Sequence, residues 1–141
     1  MDSQLATKVM LVDDEREFIE ILSQRLETRG LKVIVATSGQ EALAMTDDQN
    51  FDVAVVDFAM PGINGIETHK QIKEKRPDIE VIMLTGQGTI QSGIEAMKHG
   101  AIDYLEKPVD LTLLMEKIRL AKQQRMVALK KRSADEVRDI L

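Results

Sequence analysis

The stretch Phe51-Asp52-Val53-Ala54-Val55-Val56-Asp57-Phe58-Ala59-Met60-Pro61-Gly62 decides the fold of this chain. Val53-Ala54-Val55-Val56 is apolar without alternation and rich in β-branched valine. Such a run predicts a short strand buried on both faces, as in parallel sheets. Pro61 and Gly62 turn the chain into a loop soon afterwards. Asp57 therefore stands at the carboxyl end of a buried parallel strand, where open α/β sheets carry their chemistry.

The flanking sequence repeats this design. Lys8-Val9-Met10-Leu11-Val12 predicts a first strand ending in Asp13-Asp14. Phe18, Ile19, Ile21, Leu22 and Leu26 then recur at helical spacing until Gly30 stops the helix. Residues 31–36, broken by Lys32, predict an edge strand. Ser38 opens the next helix, with Glu41 at the third position of a capping box and Ala42, Leu43 and Met45 on one face. Beyond the central stretch, a helix starting at Asn64 or Gly65 turns Ile66 and Ile72 inward. Residues 79–84 predict a fourth strand ending at Thr85. A helix from Thr89 to His99 follows the glycines at 86 and 88, with Ile90, Ile94 and Met97 as its apolar residues. Residues 101–105 give a short fifth strand. Asp110 caps a last helix whose buried stripe is Leu111, Leu114, Met115, Ile118 and Ala121. Five strands alternating with five helices predict an α/β doubly wound, flavodoxin-like parallel sheet of order 2-1-3-4-5, with helices on both faces.

A length of 141 residues suits one domain, expected over residues 1–121. Residues 122–141 read as a basic helical extension or linker, with Lys122, Arg125, Lys130, Lys131 and Arg132 set against a net charge of -5. Met126 and Leu129 continue the apolar stripe less regularly, and Ser133 is expected to break or restart the helix. A solvated helix and a linker that pairs with a second copy or a partner both remain open. The acidic balance and the absence of Trp argue against direct nucleic-acid binding. The absence of Cys excludes disulfides and thiolate chemistry. No apolar run approaches the roughly 18 residues of a membrane span, and the first residues lack the apolar core of a signal peptide, so a cytoplasmic location is expected.

In the predicted strand order Asp13, Asp14 and Asp57 converge on one edge, with Thr85 and Lys107 beside them. Three adjacent carboxylates repel and need a counter-charge. Mg²⁺ supplies it through oxygen ligands and leaves positions for phosphate oxygens. Asp57 can then serve as a nucleophile that takes a phosphoryl group as an acyl phosphate, and Lys107 with Mg²⁺ would stabilise the transferring charge. Taken alone, Asp13-Asp14-Glu15 is an ordinary acidic helix start. Asp57 and Lys107 on the same edge give it the context of a site. His69 and His99 are read as surface residues, and the eight Met as core filler.

The motifs, in order, are Asp13-Asp14, Gly39-Gln40-Glu41-Ala42-Leu43, Asp57 with Met60-Pro61 and Gly65, Thr85-Gly86, and Gly100-Ala101-Ile102-Asp103-Tyr104-Leu105-Glu106-Lys107-Pro108. In these the chain resembles the receiver domain of bacterial two-component response regulators (CheY-like) over about residues 8–121. Thr-Gly-Gln-Gly and Leu-Glu-Lys-Pro look most like receivers of sigma-54-type activators. The resemblance implies Asp57 as phospho-acceptor in phosphorelay signal transduction, with Lys107 on the phosphoryl group. It implies Mg²⁺ bound by Asp14 and Asp57, by Asp13 largely through water, and by the backbone carbonyl of Ala59. Thr85 and Tyr104 would form the switch pair, and Pro108 would follow a cis bond. The implied donor is a sensor histidine kinase or phosphotransfer protein. The implied activity is the domain's own phosphoryl transfer and dephosphorylation, rather than turnover of an outside substrate. Ala59 and Gln87 occupy family positions that influence the lifetime of the phosphoryl group.

Other function classes fit less well. A flavin mononucleotide binder of this architecture needs a Ser/Thr/Gly-rich loop after the first strand, where this chain has Asp-Asp-Glu. A phosphatase with an Asp nucleophile needs a second Asp two residues on, where this chain has Ala59. A degenerate interaction module would have lost Asp57, Thr85 or Lys107. Ser92-Gly93 weakens the fourth helix, because Gly costs a helix interior about 0.5–1 kcal/mol relative to Ala. That helix, the fifth strand and the last helix are therefore the expected switching surface and the expected homodimer contact.

Overall fold

The computed structural model describes residues 6–86 and 90–140, Ile90 by its backbone alone. Gln87, Gly88, the helix start expected at Thr89, and Leu141 lie outside the described residues. Ten elements alternate: β1 (Lys8–Val12), α1 (Arg16–Thr28), β2 (Lys32–Ala36), α2 (Gly39–Asp48), β3 (Val53–Asp57), α3 (Gly65–Lys75), β4 (Glu80–Thr85), α4 (Ile90–Lys98), β5 (Asp103–Glu106) and α5 (Leu111–Ile140). The strands form one parallel sheet in the order β2-β1-β3-β4-β5. This is the doubly wound architecture read from the sequence.

The central strand explains the layering. Val53, Ala54, Val55 and Val56 are all fully buried. Val53 and Val55 pack with Leu26 of α1 and Leu114 and Ile118 of α5. Ala54 and Val56 pack on the other side with Ala42 of α2, Ile72 of α3 and Ala96 of α4. Each large apolar side chain buried in this way contributes about 1.5–3 kcal/mol. β2 and β5 each pair on one side only and are less buried.

The helices begin where side chains satisfy their free amides. Ser38 accepts from the Glu41 amide at 3.1 Å, and Asn64 accepts from the Glu67 amide at 2.9 Å. The reciprocal arm of the α2 capping box reaches one residue further back than expected, since Glu41 accepts from the Thr37 amide at 2.7 Å. Asp110 caps α5 by accepting from the Leu113 amide at 3.0 Å.

Several expectations need correction. His69 is a buried residue, 1% exposed, on the inner face of α3 beside Thr68 and Ile72. Gly100, at φ +91, ends the turn after α4 close to this ring. Neither ring nitrogen has a hydrogen-bond partner among the described residues. Burial, reinforced by the charges of Lys73 and His99, pushes its pKa down to about 4. In α4, Ile94 and Met97 are exposed at 43% and 45%, while Gly93 and Ala96 face inward. The helix lies too close to Tyr104 for a larger residue at 93, because a Cβ there would overlap the Tyr104 ring. Ile21 of α1 is also exposed.

Ser133 does not interrupt α5, which runs unbroken from Leu111 to Ile140. A single Ser costs a helix only a fraction of a kcal/mol, and the Arg138–Asp135 pair supports the last turns. The start of the extension is tied to the body. Arg125 donates to Asp52 at 2.6 Å and to Asp78 at 2.8 Å, joining α5 to the amino edge of the sheet. Asp52 also accepts from the Lys8 amide at 2.9 Å. Burial acts to raise the Asp78 carboxyl, but its bond to Arg125 and the nearby Arg76 outweigh this and hold it below the usual carboxylate range.

Arg125→Ala should lower stability at pH 7 by about 2 kcal/mol, because two largely buried carboxylates lose their partner. A depressed carboxyl stabilises the fold above its unfolded pKa and loses that contribution as it takes up a proton. The gap between variant and wild type should therefore narrow as pH falls below about 4. Urea unfolding at several pH values measures both.

Candidate phosphoryl-acceptor and metal site

The site lies at the carboxyl ends of β1, β3, β4 and β5. Asp57 is the last residue of β3 and is 5% exposed. The next residue is fixed from two sides: the Phe58 amide donates to the Leu84 carbonyl at 2.7 Å, and the Phe58 carbonyl accepts from Gly65 at 3.0 Å. Gly65 is required by packing, since a Cβ there would overlap the Asp57 carbonyl oxygen and the Phe58 backbone. The start of α3 therefore sits directly against the end of β3.

Asp13 follows β1 and is 1% exposed. Its amide donates to the Ala36 carbonyl at 3.1 Å, and its Oδ1 accepts from the Glu15 amide at 2.9 Å. Part of the acidic run thus does serve the start of α1. The other oxygen, Oδ2, is paired with Lys107 Nζ at 2.8 Å. Asp14 is exposed. Carboxylate oxygens of Asp13, Asp14 and Asp57 lie within 4.8 Å of one another.

Lys107 is held just after β5 by its amide, which donates to the Thr85 carbonyl at 2.9 Å, and the Lys107–Pro108 bond is cis. Its ammonium lies 2.6 Å from Glu15 Oε1 and 3.8 Å from Asp57 Oδ2, 4.4 Å from the centroid of the Phe18 ring. Burial acts to lower the Lys107 pKa, but hydrogen bonds to Asp13 and Glu15 prevail and raise it, so the ammonium keeps its charge. Asp57 is shifted more strongly. Burial first, then the Asp13 charge, push its carboxyl up to about 6, against the pull of Lys107 and of a hydrogen bond from the Ala59 amide. Burial also raises Asp13.

Thr85 is fully buried, and its hydroxyl donates to the Leu105 carbonyl at 3.4 Å. Tyr104, half-buried on β5, is opposite Met83 in register and lies over Gly93 of α4. The structure therefore brings Asp13, Asp14, Asp57 and Lys107 into one cluster, with Thr85 and Tyr104 on the flanking strands. Sequence reading passed over Glu15 and Phe18 as partners of Lys107, because the contact joins residues 92 positions apart.

The donor set fits a hard divalent cation. Oxygens of three carboxylates lie close together, and burial followed by the Asp13 charge raises the Asp57 carboxyl, so a further positive charge would be favoured among them.

The fold is shared with known proteins. The response regulator receiver domain family matches residues 9–119, and the chain belongs to that family. It is 35% identical to the C4-dicarboxylate transport transcriptional regulatory protein DctD of Pseudomonas aeruginosa, over 90% of this chain and 28% of that protein. It is 40% identical to the transcriptional regulatory protein CpxR of Escherichia coli, over 79% of this chain and 47% of that protein. The chain thus spans less than half of these curated relatives. A receiver domain from Clostridium thermocellum superposes with a TM-score of 0.81 at 33% identity, covering 86% of this chain and 98% of that one. A CheY-like receiver from Methanospirillum hungatei gives 0.80 at 28% identity, covering 87% and 98%. Receiver domains of this family partner with histidine kinases.

A raised carboxyl pKa means that the folded protein binds the proton more tightly than the unfolded chain. Metal-free stability should therefore fall as pH rises from about 4 to about 6, by up to about 3 kcal/mol. Asp57→Asn removes that loss. In the presence of a chelator the variant should be the more stable protein at pH 8 and match wild type near pH 4, as read by denaturant unfolding.

Proposed function

We propose that Asp57 of this receiver accepts the phosphoryl group of a phosphohistidine on a sensor kinase or phosphotransfer protein. The observation that carries this is a nearly buried Asp57 with Asp13 and Asp14 on one side and the Lys107 ammonium 3.8 Å away. The Asp57 carboxylate attacks phosphorus, the bond from phosphorus to imidazole nitrogen breaks, and its electron pair stays on the ring. Asp14 and Asp57 would hold Mg²⁺ directly, Asp13 largely through water, and the Ala59 carbonyl would complete the protein ligands. When bound, Mg²⁺ supplies positive charge for the phosphoryl oxygens. Lys107 leaves its carboxylate partners and pairs with a phosphoryl oxygen. The same site releases the phosphoryl group to water, so the domain controls the lifetime of its own signal.

The Thr85 hydroxyl is the proposed sensor of the new group, and Tyr104 the side chain that follows it. Support comes from their places on neighbouring strands and from the seat that Gly93 provides for the Tyr104 ring. The output surface is α4, β5 and α5, where Ile94 and Leu120 are exposed. A second copy of the chain is the proposed occupant. The transcriptional regulatory names of the relatives support a regulator of transcription as the wider setting, in the cytoplasm. No helix among the described residues is long and apolar enough to cross a membrane. The receiver body is proposed as residues 1–121, followed by an extension over residues 122–141 that Arg125 anchors at its start.

Acetyl phosphate with Mg²⁺ should modify the wild-type protein, and neither Asp57→Asn nor chelated protein should be modified, by intact mass. Beryllofluoride with Mg²⁺ should shift the wild type toward a dimer in sedimentation. An unmodified wild type would remove the acceptor assignment, and a persistent monomer would remove the dimer.

Tyr104 is the only tyrosine in a chain without Trp, so its fluorescence reports one site. Gly93→Ala should displace the ring and change that signal before any phosphorylation, with helical content kept. An unchanged signal would show that the ring does not rest on residue 93.

A further inference from the structure

We propose that Glu15 is a positioning residue for Lys107, holding the ammonium at the rim of the site so that the carboxylates stay open to the divalent cation. The inference rests on the metal-site reading above and adds a residue to it. In the resting protein Lys107 has three carboxylates within reach: Glu15 at 2.6 Å, Asp13 at 2.8 Å and Asp57 at 3.8 Å. Two of these belong to the carboxylate cluster, and Glu15 does not. Glu15 is also the outermost, with its side chain 64% exposed, against 1% for Asp13 and 7% for Asp57. Its attraction therefore draws the ammonium outward. The Phe18 ring lies beneath at 4.4 Å and favours a cation at that place.

Without Glu15 the carboxylates left within reach of Lys107 among the described residues are Asp13 and Asp57. The ammonium then settles between them and neutralises the charge that a divalent cation needs. Lys107 and the cation thus compete for the same oxygens, and Glu15 biases the competition toward the cation. Once a phosphoryl group stands on Asp57, its oxygens offer Lys107 a stronger partner than an exposed carboxylate does. The outward hold is weak enough to be released at that step.

This role differs from that of a remote negative charge, and a double-mutant cycle separates them. Mg²⁺ binding is measured by calorimetry on the full chain for wild type, Glu15→Gln, Lys107→Met and the double variant. Glu17→Gln, an exposed acid two residues on, serves as the control for bare charge. The expected result is a roughly five- to tenfold rise in Kd for Glu15→Gln, well beyond Glu17→Gln, which shrinks to the control value in the Lys107→Met background. An effect of Glu15→Gln equal to that of Glu17→Gln would overturn the proposal. So would an effect that persists undiminished without Lys107, since Glu15 would then act on the cation directly. Wild-type protein that binds no Mg²⁺ at all would overturn the metal-site reading itself, which is a distinct outcome.

Discussion

The structure depends on a carboxylate held almost out of water at the end of its central strand. Ionised Asp57 has lost most of its solvation, and the neighbouring Asp13 adds repulsion. The fold tolerates this because the strand beneath is fully buried on both faces. The cost is local and the support is global. Burial creates the demand for positive charge that Lys107 meets in part and a divalent cation would complete.

The surrounding contacts read as arrangements for keeping that demand unmet but bounded. Gly65 lets α3 close against the end of β3 and fixes the direction in which Asp57 leaves the sheet. The Ala59 amide steadies the ionised form from the loop side. Lys107 is shared among three carboxylates, so none of them is fully neutralised. Asp13 is shared between the helix start and the carboxylate cluster, with one oxygen on the Glu15 amide and the other beside Lys107.

Much of this was legible in the sequence, for a physical reason. A strand buried on both faces has to be written in apolar residues, so Val53-Ala54-Val55-Val56 announces itself, and its neighbours do likewise. The acids at the strand ends were legible because parallel strands align their carboxyl ends. Pairwise contacts far apart in the chain leave no such trace. Nothing in residues 15 and 18 points to residue 107, and nothing in residue 125 points to residues 52 and 78. The errors fall where helices pack closely. Periodicity finds an apolar stripe but does not reveal which stripe a small residue such as Gly93 will turn inward. A lone His69 in a polar stretch carries no mark of burial, since its exposure is set by the packing of α3 on the sheet and not by its immediate neighbours in the chain.

The long last helix has a mechanical consequence. α5 begins three residues after Pro108, beside the carboxyl edge of the sheet, and is anchored at Arg125 on the opposite edge. Its thirty residues make a rod about 45 Å long, of which the half beyond Arg125, about 22 Å, extends past the anchor. Such a rod is a lever with its fulcrum at Arg125. A tilt of about 5° there carries Ile140 through about 2 Å, a displacement of the size that separates packed from unpacked helix partners.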